Sequence, residues 1–598
     1  MTENLNWDLE SVFPGGSRST TLAAFIEQLA ADIAQAEAAG LPAPLTDETQ
    51  ATWIETIQRH YDLTARLWQV NSYVGCLVSQ DVKDETALKI QAGLDALQSR
   101  LSSLATRLAA ASAEQADDAW QQLAQTAELS PVAFDLNERR DEARRKMPPD
   151  LEALAGELAT DGYHAWNRLY NIMVGAKQID FEINGQVRPR SLYQLQNTFD
   201  SHPDRAVRRR AFEAFEAGWE ELAQTCAQAL NHQAGFRLTL YRHRGWESVL
   251  QEPLRHNRIS QQTLEAMWDV IARRSHKLLD YFTAKARLLG IDKLAWYDVG
   301  APVGTQARTF TYTEAGDFII DNFHPFDPAI ADFCRMALAK RWVEAEDRPN
   351  KRAGGYCTSL PLIGESRIFM TFDGSYGSMS TLAHELGHAY HGWTMRDLPI
   401  GARRYAMSVA ETASTFNQLV VVDASLKIAA SEAERLSLLN QKLDEATAYL
   451  MNMRARFDFE RAFFEQRTKG HASVDELSAL MVEAQKTAYQ QGLAEEGYHP
   501  LFWASKLHFY LTRAPFYNFP YTFGYLFSNG VYQQALAEGP GFADHYVALL
   551  RDTGSMETEA LAQAHLGFDL TRPDFWEAAV DRVLADVDDF VALANKAG

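Results

Sequence analysis

Between Thr21 and Glu114, apolar residues recur mainly at intervals of three and four positions. One such series consists of Leu88, Ile90, Leu94, Leu97, Leu101 and Leu104. A helix with about 3.6 residues per turn places positions of this spacing on one face, so the pattern predicts long amphipathic helices arranged as hairpins. Breaks are expected at residues 40–44, 130–131 and 148–150, because proline removes a hydrogen-bond donor and disfavours helix in the preceding residue.

Strand patterns are rarer. Residues 179–183 alternate apolar and polar side chains, and Asn184-Gly185 follows as the pair favoured in a two-residue turn before residues 186–187. This order predicts a β-hairpin. A second strand is expected at residues 366–372, directly before a helical segment rich in histidine.

These patterns predict a mainly α fold with a small β-sheet or hairpins. A chain of 598 residues exceeds the size at which one hydrophobic core stops growing, so at least two packed substructures are expected. We expect an N-terminal helical region at residues 1–200 and a region that carries the chemistry at residues 201–598, with the boundary near the predicted hairpin.

Composition and charge narrow the classes of function. Hydrophobic residues make up 46% of the chain and charged residues 23%, the balance of a folded globular protein. The 57 Lys and Arg residues against 79 Asp and Glu residues give a net charge of −22, which disfavours binding to the phosphates of nucleic acids. No uncharged apolar run approaches the roughly 18 residues of a spanning helix, so we expect no membrane partner.

The four cysteines, Cys76, Cys226, Cys334 and Cys357, lie far apart and form no Cys-x-x-Cys pair. They indicate neither a disulfide framework nor a thiolate zinc site. The first residues show neither the basic nor the apolar segment of a secretory signal. We therefore expect reduced thiols and a cytoplasmic location, whereas the sequence leaves the oligomeric state open.

The strongest chemical signal is the segment from His384 to His388, which reads His-Glu-Leu-Gly-His. On a helix, the two histidines lie one turn apart on the same face, so both imidazoles can reach one metal ion. Glu385 is turned off the ligand face but can contact a water bound to the metal, which suits it to be a general base. The alternative is a core helix with two hydrogen-bonded histidines.

Catalytic zinc usually takes three protein ligands and a water, so a third ligand is expected downstream. Glu411 is the candidate, because it lies in the next helical pattern, beyond a loop. Thr394 stands where an extended motif would place a third histidine. Asp397, in the loop itself, is the weaker alternative. The sequence thus predicts one Zn²⁺ per chain at His384, His388 and Glu411.

Residues 384–391 and 410–414 together resemble the signature of the oligoendopeptidase F branch of the thimet oligopeptidase family. Residues 296–298, 350–357 and 508–525 are similar to other segments of that family, and the N-terminal helices match its oligopeptidase F region in character and position. The resemblance implies two largely helical halves enclosing a deep substrate channel with zinc at its floor. It also implies short peptide substrates and the exclusion of folded proteins.

The resemblance implies further roles in residues 508–525. An oxyanion forms when water adds to the scissile carbonyl, and the residues expected to donate hydrogen bonds to it are His508, Tyr517, Tyr521 and Tyr525. Phe519 departs from the family pattern, in which a tyrosine often stands there, so the acting tyrosine stays open. The alternative for this segment is an aromatic core stripe.

Two nearby residues are expected to stay outside the chemistry. His391 follows His388 by three residues, and we expect it to pack or to support a ligand rather than to bind zinc. Cys357 lies in a segment that is close to the substrate cleft in the family. Since buried thiols are usually inert, we expect no redox role for it.

The sequence predicts a zinc metalloendopeptidase that hydrolyses internal bonds of short peptides. Glu385 is expected to take a proton from the zinc-bound water and to return it to the leaving amine. Aminopeptidase action is disfavoured, because the Gly-x-Met-Glu-Asn segment of related aminopeptidases does not occur. Two alternatives remain: a carboxy-terminal dipeptide-releasing peptidase of the same family, and a non-catalytic helical interaction protein whose metal motif is accidental.

Overall fold

The computed structural model describes residues 4–183, 185–304 and 308–597. Within these residues the fold is mainly α, and the strands form one two-stranded and one three-stranded sheet. The predicted fold class is therefore confirmed, whereas the substrate channel stays a prediction.

The α-helices of the described residues are numbered in chain order. The first eight are α1 Thr20–Ala39, α2 Gln50–Gln80, α3 Glu85–Ala113, α4 Asp117–Ala124, α5 Ala133–Arg144, α6 Pro149–Gly162, α7 His164–Ala176 and α8 Leu192–Ser201. The next ten are α9 Arg205–His243, α10 Gln251–His256, α11 Gln261–Arg274, α12 Leu278–Leu288, α13 Trp296–Val299, α14 Tyr312–Phe323, α15 Pro328–Ala339, α16 Tyr376–Thr394, α17 Met407–Ala410 and α18 Thr412–Ile428. The last nine are α19 Glu432–Thr447, α20 Met453–Lys469, α21 Val474–Ala488, α22 Phe502–Ser505, α23 Phe519–Glu538, α24 Phe542–Asp552, α25 Thr558–Leu566, α26 Pro573–Leu584 and α27 Asp586–Ala597. The strands are β1 Gln178–Ile183, β2 Gln186–Ser191, β3 Val343–Glu344, β4 Tyr356–Leu360 and β5 Glu365–Phe369.

Helices α1 to α3 confirm the predicted amphipathic helices. Asp84 caps α3, because its Oδ1 accepts hydrogen bonds from the backbone N–H groups of Thr86 and Ala87, both at 3.0 Å. The core face of α3 is formed by Leu94, Leu97 and Leu101, which are buried at the predicted spacing, whereas Leu88 is 41% exposed. The break predicted at residues 40–44 falls between α1 and α2, and that at residues 130–131 lies in a 3-10 turn between α4 and α5. The break predicted at residues 148–150 overlaps the start of α6, where Pro149 is the first helical residue and needs no hydrogen-bond donor.

The chain groups into two compact units, each assembled from separate stretches. The first unit comprises Met1–Lys146, Arg308–Ala424 and Gln534–Gly567, and the second comprises Met147–Ala307, Ser425–Gln533 and Phe568–Gly598. This grouping by contacts differs from the expected regions 1–200 and 201–598, which divide the chain by sequence pattern. That division of roles along the chain stays a prediction.

A core of the first unit joins the N-terminal helices to the three-stranded sheet. Its buried side chains come from α1, α2 and α3, and they pack together with Leu360 of β4 and Phe369 of β5. The ring of Trp7 lies 5.7 Å from that of Phe369. The N-terminal helices therefore support the sheet that leads into α16.

The three-stranded sheet has the order β3-β5-β4, with β4 antiparallel and β3 parallel to the central β5. β5 confirms the strand predicted at residues 366–372, although it ends at Phe369. β3 and β4 were not predicted, because β3 has two residues and the side chains of β4 show no alternation in burial. Both β4 and β5 pack against α16.

In the second unit, β1 and β2 form the predicted antiparallel hairpin, in which Ile183 pairs with Gln186. Asn184 of the predicted turn lies outside the described residues. The hairpin packs closely on α9, where a Cβ atom on Gly218 would lie 2.3 Å from Cδ1 of Ile179. In the described part of the chain, no helix has the length and apolar character that crossing a membrane requires.

Candidate metal centre

Helix α16 carries both histidines of the motif. It begins after Ser375, whose Oγ accepts a hydrogen bond from the backbone N–H of Ser378 at 3.1 Å. Apolar side chains such as Leu382 and Leu386 are fully buried, and the helix packs against β4, β5, α14, α15 and α24. The side chains of His384 and His388 keep 26% and 21% of their surface exposed. The helix thus presents both imidazoles to a partly open space.

Glu411 lies at the break between α17 and α18, with φ −87° and ψ 4°. Its Oε2 atom is 3.3 Å from Nε2 of His384 and 3.4 Å from Nε2 of His388. The possible ligand atoms of the three residues, one from each, all lie within 4.8 Å of one another. Among residues 4–183, 185–304 and 308–597, this is the one group of three such side chains placed to hold a metal ion.

The donor atoms fit zinc in chemistry and spacing. Zinc favours imidazole nitrogen and carboxylate oxygen, and bonds of about 2.1 Å at tetrahedral angles separate neighbouring ligand atoms by about 3.4 Å. The distances from Glu411 to both imidazoles agree with that value. Burial raises the pKa of Glu411, but hydrogen bonds from the two histidines and their charges hold it well below its usual range. Glu411 is therefore an anionic donor.

Two side chains of α18 orient these groups. The Oε1 atom of Gln418 lies 3.1 Å from Nδ1 of His384 and accepts a hydrogen bond from Nδ1–H, which leaves Nε2 directed at Glu411. The hydroxyl of Ser414 donates to Oε2 of Glu411 at 2.7 Å. Such outer contacts fix the tautomer and direction of metal ligands. The sequence interpretation did not assign these roles, although positions 411, 414 and 418 have the spacing of one helical face.

Gly387 allows α16 to approach α18 closely. A Cβ atom at this position would lie 2.4 Å from the carbonyl oxygen of Ala413 and 2.6 Å from Cα of Ser414. Both are backbone atoms that cannot rotate away. The glycine within the motif therefore sets the separation between the histidines and Glu411.

The carboxyl group of Glu385 is buried beside the two imidazoles, with 7% of the residue exposed. Its Oε2 atom has no hydrogen-bond partner in the described part of the chain. Burial raises its pKa above the usual value, while the charges of His388 and His384 act in the opposite direction. A Cβ atom on Gly355 would lie 3.6 Å from its Oε1. A carboxyl group with one unpaired oxygen can take up a proton.

The other residues near the motif have different partners. His391 is fully buried, its ring stacks on Tyr405 at 4.3 Å, and its Nε2 contacts Leu550 O at 3.1 Å and Thr553 Oγ1 at 2.9 Å. Burial lowers the pKa of His391 to about 3. Asp397 accepts hydrogen bonds from Arg551 at 2.7 and 3.1 Å. Both residues thus have structural partners away from the three-residue group.

Cys357 lies in β4, paired with Ile368 of β5. Its side chain is half-buried, and burial raises the pKa of its thiol well above the usual value. A protonated thiol is a poor nucleophile, in line with the expected inert role.

His508, Tyr517 and Tyr521 lie together in the second unit. The ring centroid of His508 is 5.1 Å from that of Tyr517 and 6.0 Å from that of Tyr521, and both tyrosines are partly exposed. Nδ1–H of His508 donates to Asn518 Oδ1 at 2.7 Å. Burial lowers the pKa of His508 to about 4, so the neutral ring presents Nε2 as an acceptor. Tyr525 is 4% exposed and stacks on Tyr449 at 4.3 Å, which favours packing.

Comparison with known proteins gives a likeness that spans most of the chain. Residues 198–582 match the model of Peptidase family M3, and residues 113–177 match that of Oligopeptidase F. The chain is 25% identical over 396 residues to oligopeptidase PepF of Bacillus subtilis, covering 66% of this chain and 58% of that protein. It is 25% identical over 380 residues to the chromosomal oligoendopeptidase F of Lactococcus lactis subsp. cremoris, covering 63% and 62%. The chain thus spans about three fifths of the length of these curated relatives.

Solved structures extend the likeness to nearly the whole chain. Oligoendopeptidase F from Enterococcus faecium superposes with a TM-score of 0.70 at 19% identity, covering 96% of this chain and 98% of that one. A protein from Chlamydophila abortus gives a TM-score of 0.82 at 19% identity, covering 98% of both chains. At these identities, the superpositions concern the fold alone.

Proposed function

Because the chain belongs to peptidase family M3, we propose that it is a zinc metalloendopeptidase that hydrolyses internal bonds of short peptides. The observation that carries the proposal is the convergence of His384, His388 and Glu411 beside the buried carboxyl group of Glu385. The names of the relatives, oligopeptidase and oligoendopeptidase F, support a peptide substrate.

His384, His388 and Glu411 would hold the metal, with Gln418 and Ser414 keeping the ligand atoms in place. Zinc, when bound, polarises the scissile carbonyl and lowers the pKa of water, which permits hydrolysis near neutral pH. The carboxylate of Glu411 also offsets part of the charge of the cation. Three protein donors would leave room at a bound metal ion for water or substrate.

Glu385 moves the proton in this mechanism. Its unpaired Oε2 accepts a proton from the attacking water as the water oxygen forms a bond to the carbonyl carbon. When the carbon–nitrogen bond breaks, the same oxygen returns the proton to the leaving amine. The amide of a Gln residue keeps the shape of this group and lacks its basicity.

Tyr517 and Tyr521 would donate hydrogen bonds to the oxyanion. A neutral tyrosine hydroxyl is a donor at pH 7, and both side chains are partly exposed beside His508. The neutral ring of His508 presents an acceptor at Nε2. We therefore propose that His508 orients a tyrosine hydroxyl and does not itself donate a hydrogen bond to the oxyanion. Tyr525 is the weakest of the four candidates because its ring is packed in the interior.

We place the reaction in the cytoplasm, where the four free thiols of the chain are stable. Release of dipeptides from the carboxy terminus is the second candidate function. The same catalytic groups would perform it, and only the closed end of the substrate pocket would differ. Mass spectrometry of the products from a mixed peptide library separates the two activities. Cleavage at internal bonds far from both ends supports the endopeptidase, and exclusive loss of carboxy-terminal dipeptides contradicts it.

Two carboxylate variants test the proposal with quenched fluorescent peptides and zinc analysis. Glu385→Gln should keep one zinc per chain and lose about 10²–10⁴ in kcat, the usual contribution of a general base. Glu411→Ala should lose zinc to a mild chelator as well as activity, because it removes a charged ligand. Asp397→Asn is the matched control, since its carboxylate pairs with Arg551, and it should keep both properties.

Each variant can contradict a different part of the proposal. A kcat of Glu385→Gln near that of the parent removes Glu385 as the base. Full zinc occupancy of Glu411→Ala in the chelator would show that the third ligand lies elsewhere. A parent chain without stoichiometric zinc, and without cleavage after zinc is added, would favour the non-catalytic helical interaction protein.

A further inference from the structure

Two cations of the second unit approach the same aromatic ring. The Cζ atom of Arg456 lies 5.2 Å from the ring centroid of Phe502, and the Nζ atom of Lys506 lies 4.9 Å from it. Phe502 is 1% exposed, and both cations are half-buried. Two positive charges are therefore held near one another where little water surrounds them.

The polar partners of these cations leave their charge unbalanced. Nε of Arg456 donates to Asn452 Oδ1 at 2.8 Å, and its Nη1 donates to Asn518 Oδ1 at 3.0 Å. Within the residues that the structure describes, neither Arg456 nor Lys506 forms an ion pair, and Nζ of Lys506 has no hydrogen-bond acceptor. The charge of Asp200 acts on Lys506 from beyond ion-pair distance.

Other buried cations of the same unit have carboxylate partners. Lys285 pairs with Asp444 at 2.7 Å, and Arg208 pairs with Asp298 at 2.9 Å. Burial of a cation is costly unless an opposite charge and hydrogen bonds compensate for lost water. An anionic ligand would supply this compensation at Arg456 and Lys506.

The position of the two cations indicates which ligand this is. Asn518 Oδ1, which accepts from Arg456, also accepts from Nδ1 of His508, whose ring stacks on Tyr521. We infer that Arg456 and Lys506 bind a carboxylate of the peptide substrate, supplied by its C-terminus or by an acidic side chain. This inference rests on the proposed peptidase function, because it takes Tyr521 to face the substrate.

The donors suit a carboxylate. Nε and Nη1 of Arg456 have protein acceptors, whereas Nη2 has none among the described residues and can donate to a carboxylate. The ammonium group of Lys506 adds a point charge. Burial and the charge of Arg456 lower the pKa of Lys506 to about 7. A carboxylate bound between the two cations would stabilise the charged form of Lys506 and offset the repulsion from Arg456.

Three peptides of one sequence test the inference and separate the two sources of the carboxylate. One has a free C-terminus, one has a C-terminal amide, and one is an amide with an internal Asp. At a pH below 7, we expect the parent enzyme to show a KM about tenfold lower for one of the two carboxylate peptides than for the plain amide. Arg456→Gln and Lys506→Gln should each reduce this ratio of KM values to about twofold. Because the ratio compares two peptides on the same variant, it does not depend on a change in kcat caused by loss of the contact between Arg456 and Asn518.

Two further variants control for charge and folding. Lys506→Arg keeps the positive charge and should keep the preference. Lys469→Gln removes an exposed lysine, paired with Glu465, from α20, the helix that also carries Arg456, and should change nothing. Circular dichroism verifies that all variants are folded.

The outcomes distinguish the inference from the function on which it rests. Equal KM values for all three peptides, or a preference that survives both Gln substitutions, overturn the inference and leave the peptidase proposal intact. Failure to cleave any peptide contradicts the peptidase proposal. In that case, calorimetry on Glu385→Gln measures binding of the same peptides, and equal affinities for acid and amide overturn the inference as well.

Discussion

Tyr517 and Tyr521 each carry a hydroxyl group that Tyr→Phe removes without changing the ring. A donor to the oxyanion is used mainly in the transition state, so we expect a loss of about 10²–10³ in kcat and in kcat/KM, with KM and zinc content nearly unchanged. Tyr525→Phe removes an interior hydroxyl from the same segment and should keep kcat within about threefold. Steady-state kinetics on a quenched peptide measure these values. If Tyr517→Phe and Tyr521→Phe both stay within that limit, the segment acts as an aromatic wall.

Glu460 is a buried carboxyl group whose charge state should set part of the pH dependence of stability. It is 6% exposed, and its Oε1 accepts the backbone N–H of Phe516 at 2.9 Å, directly before Tyr517. Burial raises its pKa to about 7 from 4.5. The folded chain therefore holds a proton that the unfolded chain has lost, and stability falls as pH rises through this range.

Glu460→Gln keeps the acceptor and removes the charge. It should raise the melting temperature by a few degrees at pH 8 and lose this advantage below about pH 4, where the carboxyl group is protonated in both states. Differential scanning fluorimetry at several pH values measures the difference. An advantage that grows toward low pH would contradict the assigned sign.

The local sequence identifies some residues of the metal centre and does not identify others. His384, Glu385 and His388 stand in one short motif, and the structure brings Glu411 to the two histidines as the spacing suggested. Gln418 could not be assigned in the same way, because its role depends on which imidazole nitrogen the packing of α16 on α18 presents to it. The outer contacts of a site thus require tertiary geometry.

Among the elements, the contact between α16 and α18 offers the sharpest test of how the metal centre is built. Gly387→Ala would place a methyl group 2.4 Å from the carbonyl oxygen of Ala413 and force the two helices apart. We expect zinc affinity to fall about tenfold or more, because overpacking costs about 1–3 kcal/mol and displaces Glu411 from the histidines. Competition with a chromogenic chelator measures this loss.

The control for this change lies on the same helix. Gly377→Ala adds a methyl group that meets only Ser375 Oγ, at 3.5 Å, and should leave zinc affinity unchanged. Parent-like affinity in Gly387→Ala would show that the helices tolerate the added volume.

The elements themselves differ in how far the sequence predicts them. α3 and the β1–β2 hairpin have clear periodicity, whereas β3 consists of two residues that pair with β5 and has no pattern of its own. Glu411 also stands at a break between helices, which apolar spacing over residues 407–416 does not reveal. Short elements stabilised by neighbours distant in sequence escape local patterns.

At the scale of the whole molecule, substrate size follows from how far the metal centre is covered. The three candidate ligand side chains keep 21–26% of their surface exposed, which favours an extended, slender substrate chain for the proposed peptidase. We expect peptides up to about twenty residues to be cleaved and folded or long unfolded proteins to be spared. A length series of peptides assayed for kcat/KM measures the limit. Digestion of denatured casein as fast as a nonapeptide would contradict it.

The composition of the two units is the feature that the sequence predicts least. Amphipathic helices from Thr21 to Glu114 indicate helical packing, yet nothing in their pattern indicates that residues 308–424 and 534–567 share their unit. Which faces meet depends on contacts between residues hundreds of positions apart. Each unit is assembled from three stretches that alternate along the chain. A single boundary in the sequence, such as the one expected at residue 200, cannot describe this interleaving.

The interleaving of the first unit has a consequence for biosynthesis. His391 of α16 contacts Leu550 and Thr553, which belong to the last of the three stretches of that unit. At about 5–20 residues per second, a ribosome needs roughly 20–80 s to pass from residue 146 to residue 534. During this time, the apolar faces of the earlier stretches lack their final partners. Because transiently exposed apolar surface promotes aggregation, we expect this interval to be the stage of synthesis at which the nascent chain is most prone to aggregate.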